Sequence, residues 1–316
     1  MSLLHKKNIA AIDMGTNSFH LIIVEADQKE NFKIIDREKE VMRLASHEGK
    51  NLSFITEEET KKAILILKKF IKLSNKYNAD IRAVATSAVR EAKNKDEFIK
   101  KIFDQTDLKI EAINGKNEAE LIFLGAQKAL PLFNKKVLCI DIGGGSTEFI
   151  LNDNGKFIFS ESIKIGAVRL TKKFFPNYEL NESNIVDCEN YIEEILYSNK
   201  MLNFNSKFDL AIGTSGTIQA AASMIYYSNQ KKNLKKINGF SFSCDDFYQL
   251  SELILSKKTV NERKRIPGME SKRADVIPAG ILILKKAFQL FKLRNITISE
   301  YALREGIVID TIRKSN

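Results

Sequence analysis

Cysteine and histidine are scarce in this sequence, and their scarcity limits the chemistry that the chain can perform. The 316 residues include three of each, and the histidines are isolated from one another. Cys139, Cys188 and Cys244 lie far apart and show neither a Cys-x-x-Cys nor another metal-binding spacing, as is typical of reduced thiols in a cytosolic protein. We therefore expect neither a histidine-based metal centre nor a Ser-His-Asp triad.

Long apolar runs are also lacking. No run reaches the roughly 18 residues that a membrane-spanning helix needs. Residues 1–7 contain no apolar signal core before the first strand-like run, so export is not expected. We predict a cytoplasmic protein with no membrane partner.

Acidic residues are outnumbered by basic ones, and the formal net charge is +10. A positive chain attracts anionic partners. The lysines are spread along predicted helices, such as the one at 57–77, and do not cluster with aromatic residues. None of the usual nucleic-acid-binding signatures is present. The charge is thus only weak support for a polyanionic partner, and we expect no nucleic acid.

What the sequence does contain, twice, is a glycine turn that follows an aspartate at the end of an apolar run. The two copies read IDMGTNS at 12–18 and IDIGGGSTE at 140–148. The aspartate offers a metal ligand, and the backbone N–H groups of such a turn can surround a phosphate, which glycine lets the backbone approach closely. The repetition predicts two related domains that face one polyphosphate substrate across a cleft.

These turns differ from two common nucleotide-binding loops. Neither copy contains the GxxxxGK[ST] pattern of a Walker A loop. The segment from Gly143 to Gly145 runs into a predicted strand, whereas a dinucleotide-binding turn would open a helix.

The order of predicted elements repeats as well. Each half begins with three strands, at 9–13, 19–26 and 32–44 and then at 137–142, 146–152 and 156–163. Helices and strands alternate afterwards, with capping-box patterns at Thr56-Glu59 and Asn94-Glu97 and long helices at 184–202 and 272–291. A period of this length predicts a domain duplication, and 316 residues are enough for two cores.

Further motifs follow along the chain. They read ATSAVREA at 85–92, NGKNEAELI at 114–122, GTSGT at 213–217, RADVI at 273–277 and LREG at 303–306. With the two glycine turns, they make the chain resemble the Ppx/GppA family of exopolyphosphatases and guanosine pentaphosphate phosphohydrolases, within the superfamily of acetate kinase, sugar kinases, heat-shock chaperone ATPases and actin. The motifs span nearly the whole chain, and the resemblance is to the short form, without a C-terminal HD-type region.

The resemblance implies an α/β fold of two duplicated actin-like (ribonuclease H-like) ATPase-fold domains with a cleft between them. We assign residues 1–120 to domain I, together with a C-terminal helix at 303–316 that returns to it. Residues 121–302 are assigned to domain II.

Three carboxylates are candidate metal ligands. Asp141, beside three consecutive glycines, can hold Mg²⁺ against phosphate oxygens, and its family position serves metal binding and catalysis. Glu148 begins the next strand and could reach back over the turn, and Asp13 could bind metal through water. Each could instead be a turn former or an exposed strand residue. A monovalent cation such as K⁺ is a further candidate cofactor.

Glu118 is the candidate general base. The resemblance implies that it activates the attacking water, although a glutamate near a helix N-terminus is also simply favourable with the helix dipole. Where the family typically has two adjacent glutamates, this chain has Asn117 followed by Glu118. Glu120 is close enough to be confused with it.

Short donors, glycine turns and arginines form the candidate phosphate-binding set. Arg90 offers a planar fork suited to phosphate oxygens. Arg273 resembles a family arginine but could equally be a charge on a helix surface, and LREG is interpreted as structural, with Ala302 where the family usually has glycine. The full set is Asn17, Ser18, Arg90, Gly143, Gly144, Gly145, Ser146, Gly213, Thr214, Ser215, Gly216 and Arg273.

We therefore predict a hydrolase that removes the terminal phosphate of a linear phosphoanhydride by metal-assisted attack of water. The substrate is inorganic polyphosphate, guanosine pentaphosphate or both; the guanosine substrate would link the protein to the stringent response. The alternatives are a phosphotransferase, similar to sugar or acetate kinases, and a non-catalytic sensor that binds guanosine tetraphosphate or polyphosphate. A homodimer is compatible with the resemblance, but the sequence does not decide the oligomeric state.

Overall fold

The computed structural model describes residues 6–44, 54–199, 207–230 and 236–315. The chain divides into two compact units, Met1–Gly125 with Tyr301–Asn316 and Ala126–Glu300. Both units are α/β, and each has its own core of buried apolar residues.

The described part of the first unit contains one five-stranded sheet, in the order β3-β2-β1-β4-β5. The first three strands are antiparallel, and β4 and β5 continue the sheet in parallel from β1. Because β1 lies in the middle, its apolar residues are buried. The strands are β1 (Lys7–Met14), β2 (Ser18–Ala26), β3 (Phe32–Val41), β4 (Asp80–Ala85) and β5 (Ile110–Ala112).

Helices follow the strands of this sheet. They are α1 (Glu57–Lys76), α2 (Ser87–Glu91), α3 (Lys95–Thr106) and α4 (Gly115–Ala129). The predicted capping box of α1 is confirmed: the Glu59 N–H donates to Thr56 Oγ1 at 3.2 Å and the Thr56 N–H donates to Glu59 Oε2 at 2.9 Å. The short helix α2 was not predicted, because five residues are too few to show a helical period.

The predicted capping box of α3 is wrong. Asn94 is the N-cap residue, but its side chain makes no cap hydrogen bond. Its amide instead pairs with the backbone of Ile55, accepting from the Ile55 N–H at 3.0 Å and donating to the Ile55 carbonyl at 2.7 Å. The side chain that the local pattern assigned to the helix cap is therefore hydrogen-bonded to a backbone segment 39 residues away in the sequence.

The second unit repeats the topology of the first. The described residues form a sheet in the order β10-β11-β9-β6-β7-β8. When the short β10 is left out of the count, the order from β8 to β11 is again third, second, first, fourth and fifth. β10 pairs with β11 at the edge of the sheet. This confirms the duplicated, ribonuclease H-like organisation. The strands are β6 (Lys136–Ile142), β7 (Thr147–Asp153), β8 (Lys156–Ile163), β9 (Leu210–Thr214), β10 (Ser241–Ser243) and β11 (Asn295–Ile298).

The helices of the second unit differ from prediction at one important point. They are α5 (Ala167–Phe174), α6 (Glu182–Ser198), α7 (Ser215–Gln230), α8 (Cys244–Ser256), α9 (Val260–Lys264) and α10 (Ile277–Leu290). The helix predicted at 272–291 does not begin at 272: a 3-10 turn covers Ser271–Arg273, and α10 starts only at Ile277, with a proline in its first turn. Proline lacks the N–H that a helix interior needs but fits a helix start. The end of the helix predicted at 184–202 lies outside the described residues.

The last helix, α11 (Leu303–Ser315), belongs to the first unit and packs closely against α4. A Cβ on Gly306 would lie 1.9 Å from the Leu121 carbonyl oxygen, and a Cβ on Gly125 would lie 2.0 Å from that of Ala302. Glycine at both positions is therefore what allows the two helices to approach. Ala302 does not prevent this approach, because the residues that must lack a side chain are Gly125 and Gly306. Ala302 contributes only backbone atoms to the close contact.

Two cysteines behave as structural residues. Cys139 and Cys188 are buried, and burial raises the pKa of the Cys188 thiol to about 12 and that of Cys139 well above its ordinary value. Such thiols stay protonated and unreactive. Within the described ranges, no helix is both long enough and apolar enough to span a bilayer.

Candidate functional site

The glycine turn of the first unit is fixed by its own backbone. It joins β1 to β2, and the Gly15 N–H donates to the Ser18 carbonyl at 3.2 Å. The Asn17 carbonyl accepts from the N–H groups of Met42 and Arg43, both at 3.0 Å. Asp13 stands at the end of β1, directly before this turn. These backbone hydrogen bonds fix the shape of the turn.

Polar atoms inside this turn lack protein partners. Thr16 is buried, and neither its Oγ1 nor the Oδ1 of Asn17 has a hydrogen-bond partner among the described residues. Buried polar groups are normally satisfied, so each such atom calls for a bound group or an ordered water. This favours a ligand site at the turn. Thr16 was not among the predicted residues, although the hydroxyl in the motif is a signal that could have identified it.

Ser18, a predicted phosphate-binding residue, is buried at the start of β2. Its Oγ lies 2.8 Å from Nε2 of His20, which follows on the same strand. In the sequence His20 is isolated from the other histidines, so no local motif predicts this contact.

Arg90 and Glu118 meet where two parallel strands end. Arg90 is carried by α2 immediately after β4, and Glu118 lies in the first turn of α4 after β5. Arg90 Nη1 donates to Glu118 Oε2 at 2.5 Å and to the Ile113 carbonyl at 3.2 Å. The Glu118 side chain is 7% exposed and that of Arg90 20% exposed, so the ion pair is largely shielded from water. Glu120, in contrast, is only half-buried.

The carboxylates of Asp141 and Glu148 are neighbours in the second unit. They are direct cross-strand partners on β6 and β7, and both are buried. Thr214 Oγ1 donates a short hydrogen bond to Asp141 Oδ2, and Ser162 Oγ donates to Glu148 Oε1 at 2.6 Å. Each of these two carboxylates is thus oriented by a hydroxyl group that donates a hydrogen bond to one carboxylate oxygen.

The three-glycine turn between these strands is held by α5. The Gly143 N–H donates to the Ser146 carbonyl at 3.0 Å, which closes the turn. The first N–H groups of α5 donate to its carbonyls: Ala167 to Gly143 at 2.9 Å, and Val168 and Arg169 to Gly144 at 2.9 and 3.0 Å. The N–H groups at the N-terminus of α5, which have no acceptor within the helix, are thus satisfied by carbonyl groups of the three-glycine turn.

A side chain and a further glycine complete this support. Arg169 Nε donates to the Gly145 carbonyl at 2.6 Å. A Cβ on Gly166 would lie 2.5 Å from backbone atoms of Gly144 and Gly145, so only glycine fits there. Neither Arg169 nor Gly166 was predicted, because their role depends on the packing of α5 and not on a local motif.

The junction of β9 and α7 carries the remaining predicted residues. Ser215 adopts a left-handed backbone conformation with φ of 72°. Its hydroxyl donates to the Ile142 carbonyl at 2.7 Å and accepts from the Ile142 N–H at 3.2 Å. Ser215 therefore fastens this junction to the residue after Asp141, while its neighbour Thr214 orients Asp141. Gly213 is packed tightly against Ile218 and Ile296.

Arg273 lies over the N-terminus of α7. A Cβ on Gly216 would fall 1.7 Å from Arg273 Nη2, so the guanidinium occupies the space that any larger residue would fill. Arg273 Nε donates to Glu270 Oε2 at 2.8 Å, and the side chain is 14% exposed. It is therefore not a free charge on a helix surface.

A buried arginine anchors the segment that carries Arg273. Arg263 is fully buried, and its guanidinium donates to four backbone carbonyl oxygens: Ala274 at 2.7 Å, Tyr178 at 2.6 Å, and Lys257 and Lys258 at 2.9 and 3.1 Å. These contacts fix the chain directly after Arg273. Burial lowers the pKa of Arg263 from its ordinary value.

The second unit offers a carboxylate pair suited to Mg²⁺. Among the described residues, no group of three or more His, Cys, Asp or Glu side chains is arranged so that it could hold a metal ion. Mg²⁺ commonly uses only one or two carboxylates and completes its octahedron with waters and phosphate oxygens. Asp141 and Glu148, two buried carboxylates that are direct cross-strand partners, fit that requirement. Asp13, in the first unit, stays a predicted ligand through water.

Comparisons with known proteins find relatives that match nearly the whole chain. The sequence profile described as the Ppx/GppA phosphatase family matches residues 21–315. A putative exopolyphosphatase of Haemophilus influenzae is 30% identical over 96% of this chain and 90% of its own length. The crystal structure of an exopolyphosphatase from Cytophaga hutchinsonii superposes with a TM-score of 0.88 at 33% identity, covering 98% of both chains.

One relative is much longer. A bifunctional 3-dehydroquinate synthase/phosphatase of Fusobacterium nucleatum is 34% identical over 96% of this chain. The chain spans 46% of that protein's length.

Proposed function

Because the chain belongs to the Ppx/GppA phosphatase family, we propose that it is a hydrolase that releases the terminal phosphate of a linear phosphoanhydride. The observation that carries this proposal is Glu118: a buried carboxylate in the first turn of a helix, held by Arg90 at 2.5 Å. A phosphotransferase must exclude water from attack, whereas a hydrolase needs a group that activates water. A buried, oriented carboxylate is suited to that task.

In the proposed mechanism, Glu118 accepts a proton from the water that attacks the terminal phosphorus. Arg90 fixes the direction of this carboxylate through the 2.5 Å hydrogen bond from its Nη1 to Glu118 Oε2. Asn17, Ser18 and Thr16 offer donors to phosphate oxygens at the first glycine turn. No covalent enzyme intermediate is required.

Asp141 and Glu148 would hold Mg²⁺. The ion would supply neutralisation of the charge on the phosphate oxygens. Thr214 and Ser162 orient these two carboxylates. The Gly143 N–H closes the turn on the Ser146 carbonyl, so the N–H donors proposed for the substrate are those of Gly144 to Ser146. We propose Arg273 as a further phosphate ligand, over the N-terminus of α7.

We propose inorganic polyphosphate as the substrate, since related proteins with high coverage are described as exopolyphosphatases. Guanosine pentaphosphate presents the same terminal group and is the rival substrate. The net charge of +10 would favour either polyanion.

The test compares initial phosphate release from long-chain polyphosphate, guanosine pentaphosphate and ATP, with Mg²⁺ and with and without K⁺. We expect release from polyphosphate without any added acceptor, and its loss in D141N. Strict dependence on an acceptor would identify a phosphotransferase. Binding of polyphosphate or guanosine tetraphosphate without release from any substrate would identify a sensor and refute the hydrolase.

A further inference from the structure

His20 lies between Ser18 and Arg304 in the first unit. Its Nε2 is 2.8 Å from Ser18 Oγ, and its Nδ1 is 3.5 Å from Arg304 Nη1. Ser18 and His20 are on β2, whereas Arg304 comes from α11, 284 residues after His20. The mechanism proposed above uses neither His20 nor Arg304.

The contact with Arg304 decides which nitrogen of His20 carries the proton. A guanidinium has donors only and cannot accept a hydrogen bond. A hydrogen bond at this contact requires His20 Nδ1 to be the acceptor, which in a neutral imidazole places the proton on Nε2.

The position of that proton in turn decides what Ser18 can do. With Nε2 as the donor, Ser18 Oγ is the acceptor of the 2.8 Å contact. The hydroxyl proton of Ser18 then points elsewhere and can be donated to another acceptor. With the other tautomer, Ser18 would have to donate its hydroxyl proton to Nε2 of the ring. Arg304 thereby selects the arrangement in which Ser18 is a donor.

Other charged groups surround the ring. Asp13 and Lys39 are the cross-strand partners of His20 on β1 and β3. Glu305 follows Arg304 on α11, with a carboxylate oxygen 3.8 Å from Arg304 Nη2. Asp13 and Lys39 have opposite charges, and so do Arg304 and Glu305, so the ring is not in a field of one sign. The hydrogen-bond directions, rather than net charge, set its tautomer.

We propose that His20 is a positioning residue: Arg304 fixes its tautomer, and its Nε2–H orients Ser18 so that the serine hydroxyl donates to an oxygen of the bound phosphate chain. The identity of that anion rests on the proposed function, but the tautomer does not. The two parts of the proposal can therefore be tested separately.

The first test is spectroscopic and needs no activity. Long-range ¹H–¹⁵N correlation spectra report imidazole tautomers, and the chain has only three histidines, so the His20 signals are assigned by their loss in H20Q. We expect the neutral Nε2–H form in the wild-type protein and in R304K, which keeps a donor. R304M should shift His20 towards the Nδ1–H form. A wild-type ring protonated on Nδ1, or a tautomer unaffected by R304M, would refute the role of Arg304.

The second test separates positioning from a merely structural role. Gln can place its amide nitrogen where Nε2 lies, whereas Asn reaches only as far as Nδ1. We expect H20N and S18A each to raise KM for polyphosphate about 10-fold, the size of one lost hydrogen bond to a charged ligand, with a smaller change in kcat. H20Q should recover most of the loss, and S18A/H20N should be no worse than S18A alone.

Two outcomes would overturn this second part. The first is that S18A raises KM for polyphosphate while H20N leaves it at the wild-type value. The second is that the increase in KM in S18A/H20N equals the product of the increases in the two single variants. Thermal unfolding of each variant checks that the fold is retained. If the wild type releases phosphate from no substrate, the proposed function fails, and the spectra still decide the tautomer.

Discussion

Arg90 Nη1 donates at 2.5 Å to Glu118 Oε2 while the same nitrogen donates at 3.2 Å to the carbonyl of Ile113. The arginine thus ties the carboxylate to the chain end of β5, which is itself fixed because the Ile113 N–H donates to the Ala85 carbonyl at 3.1 Å. Glu118 is oriented by rigid elements and not by a flexible loop. Such support is what a base needs, since catalytic geometry tolerates only small displacements.

Replacing Glu118 by Gln should abolish water activation while keeping the size of the side chain. We expect kcat for phosphate release to fall by about 10²–10⁴-fold, with KM changed much less. E120Q is the matched control, because Glu120 is two residues away on the same helix but half-buried. Steady-state kinetics on both variants provide the measurement. Equal losses in the two, or a fully active E118Q, would rule out Glu118 as the base.

Lysine at position 90 keeps the charge but loses the planar fork. We expect R90K to lower kcat about 10–100-fold, because one ammonium cannot hold Glu118 and the Ile113 carbonyl in the same geometry. R313K serves as control, since Arg313 forms an exposed pair with Glu30 in the same unit. Unchanged turnover in R90K would show that the charge alone suffices.

The hydroxyl of Thr214 should matter to the metal requirement. In T214V the Asp141 carboxylate loses its oriented donor, and loss of such a supporting bond typically weakens metal affinity about 10–100-fold. Activity titrated with Mg²⁺ should therefore half-saturate at a higher concentration. T214S, which keeps the hydroxyl, should restore most of the affinity. If valine and serine behave alike, Thr214 does not act through Asp141.

Asp310 should contribute stability that depends on pH. Burial acts to raise its pKa, but hydrogen bonds from Lys314 and Arg82 outweigh burial and lower the pKa below the ordinary value of 3.8. A carboxyl with a lowered pKa in the folded state stabilises the protein above its unfolded pKa, and this stability is lost as pH falls through the folded value. The contribution is on the order of 1 kcal/mol, reduced by the partial exposure of the side chain.

D310N should therefore lower Tm by about 2–4 °C at pH 6. The difference from the wild type should shrink as pH falls below 3.8, because the wild-type carboxyl then also becomes neutral. D104N is the control, since Asp104 pairs with Lys100 on an exposed helix face. A Tm difference that stays constant into acid would show that the charge of Asp310 does not contribute.

Local patterns accounted for the elements that depend on neighbours in sequence. The duplication, the central strands, the capping box at Thr56 and the antiparallel pair that bears Asp141 and Glu148 all follow from short-range periodicity and turn chemistry. The side chain of Asn94 shows where this reasoning stops. Its local pattern matched a helix cap, but the backbone of Ile55, 39 residues away, provides both of its hydrogen-bond partners.

The sequence by itself determined the α/β class, the repeated glycine turns and which carboxylates are available for chemistry, because these depend on residue type and spacing along one segment. Only the tertiary structure decided what orients them. Arg90 reaches Glu118 across 28 residues, Thr214 reaches Asp141 across 73, and Arg304 reaches His20 across 284. Such pairs form because packed elements, such as α4 and α11 at Gly125 and Gly306, bring distant residues within hydrogen-bond distance. No periodicity in the chain encodes that approach.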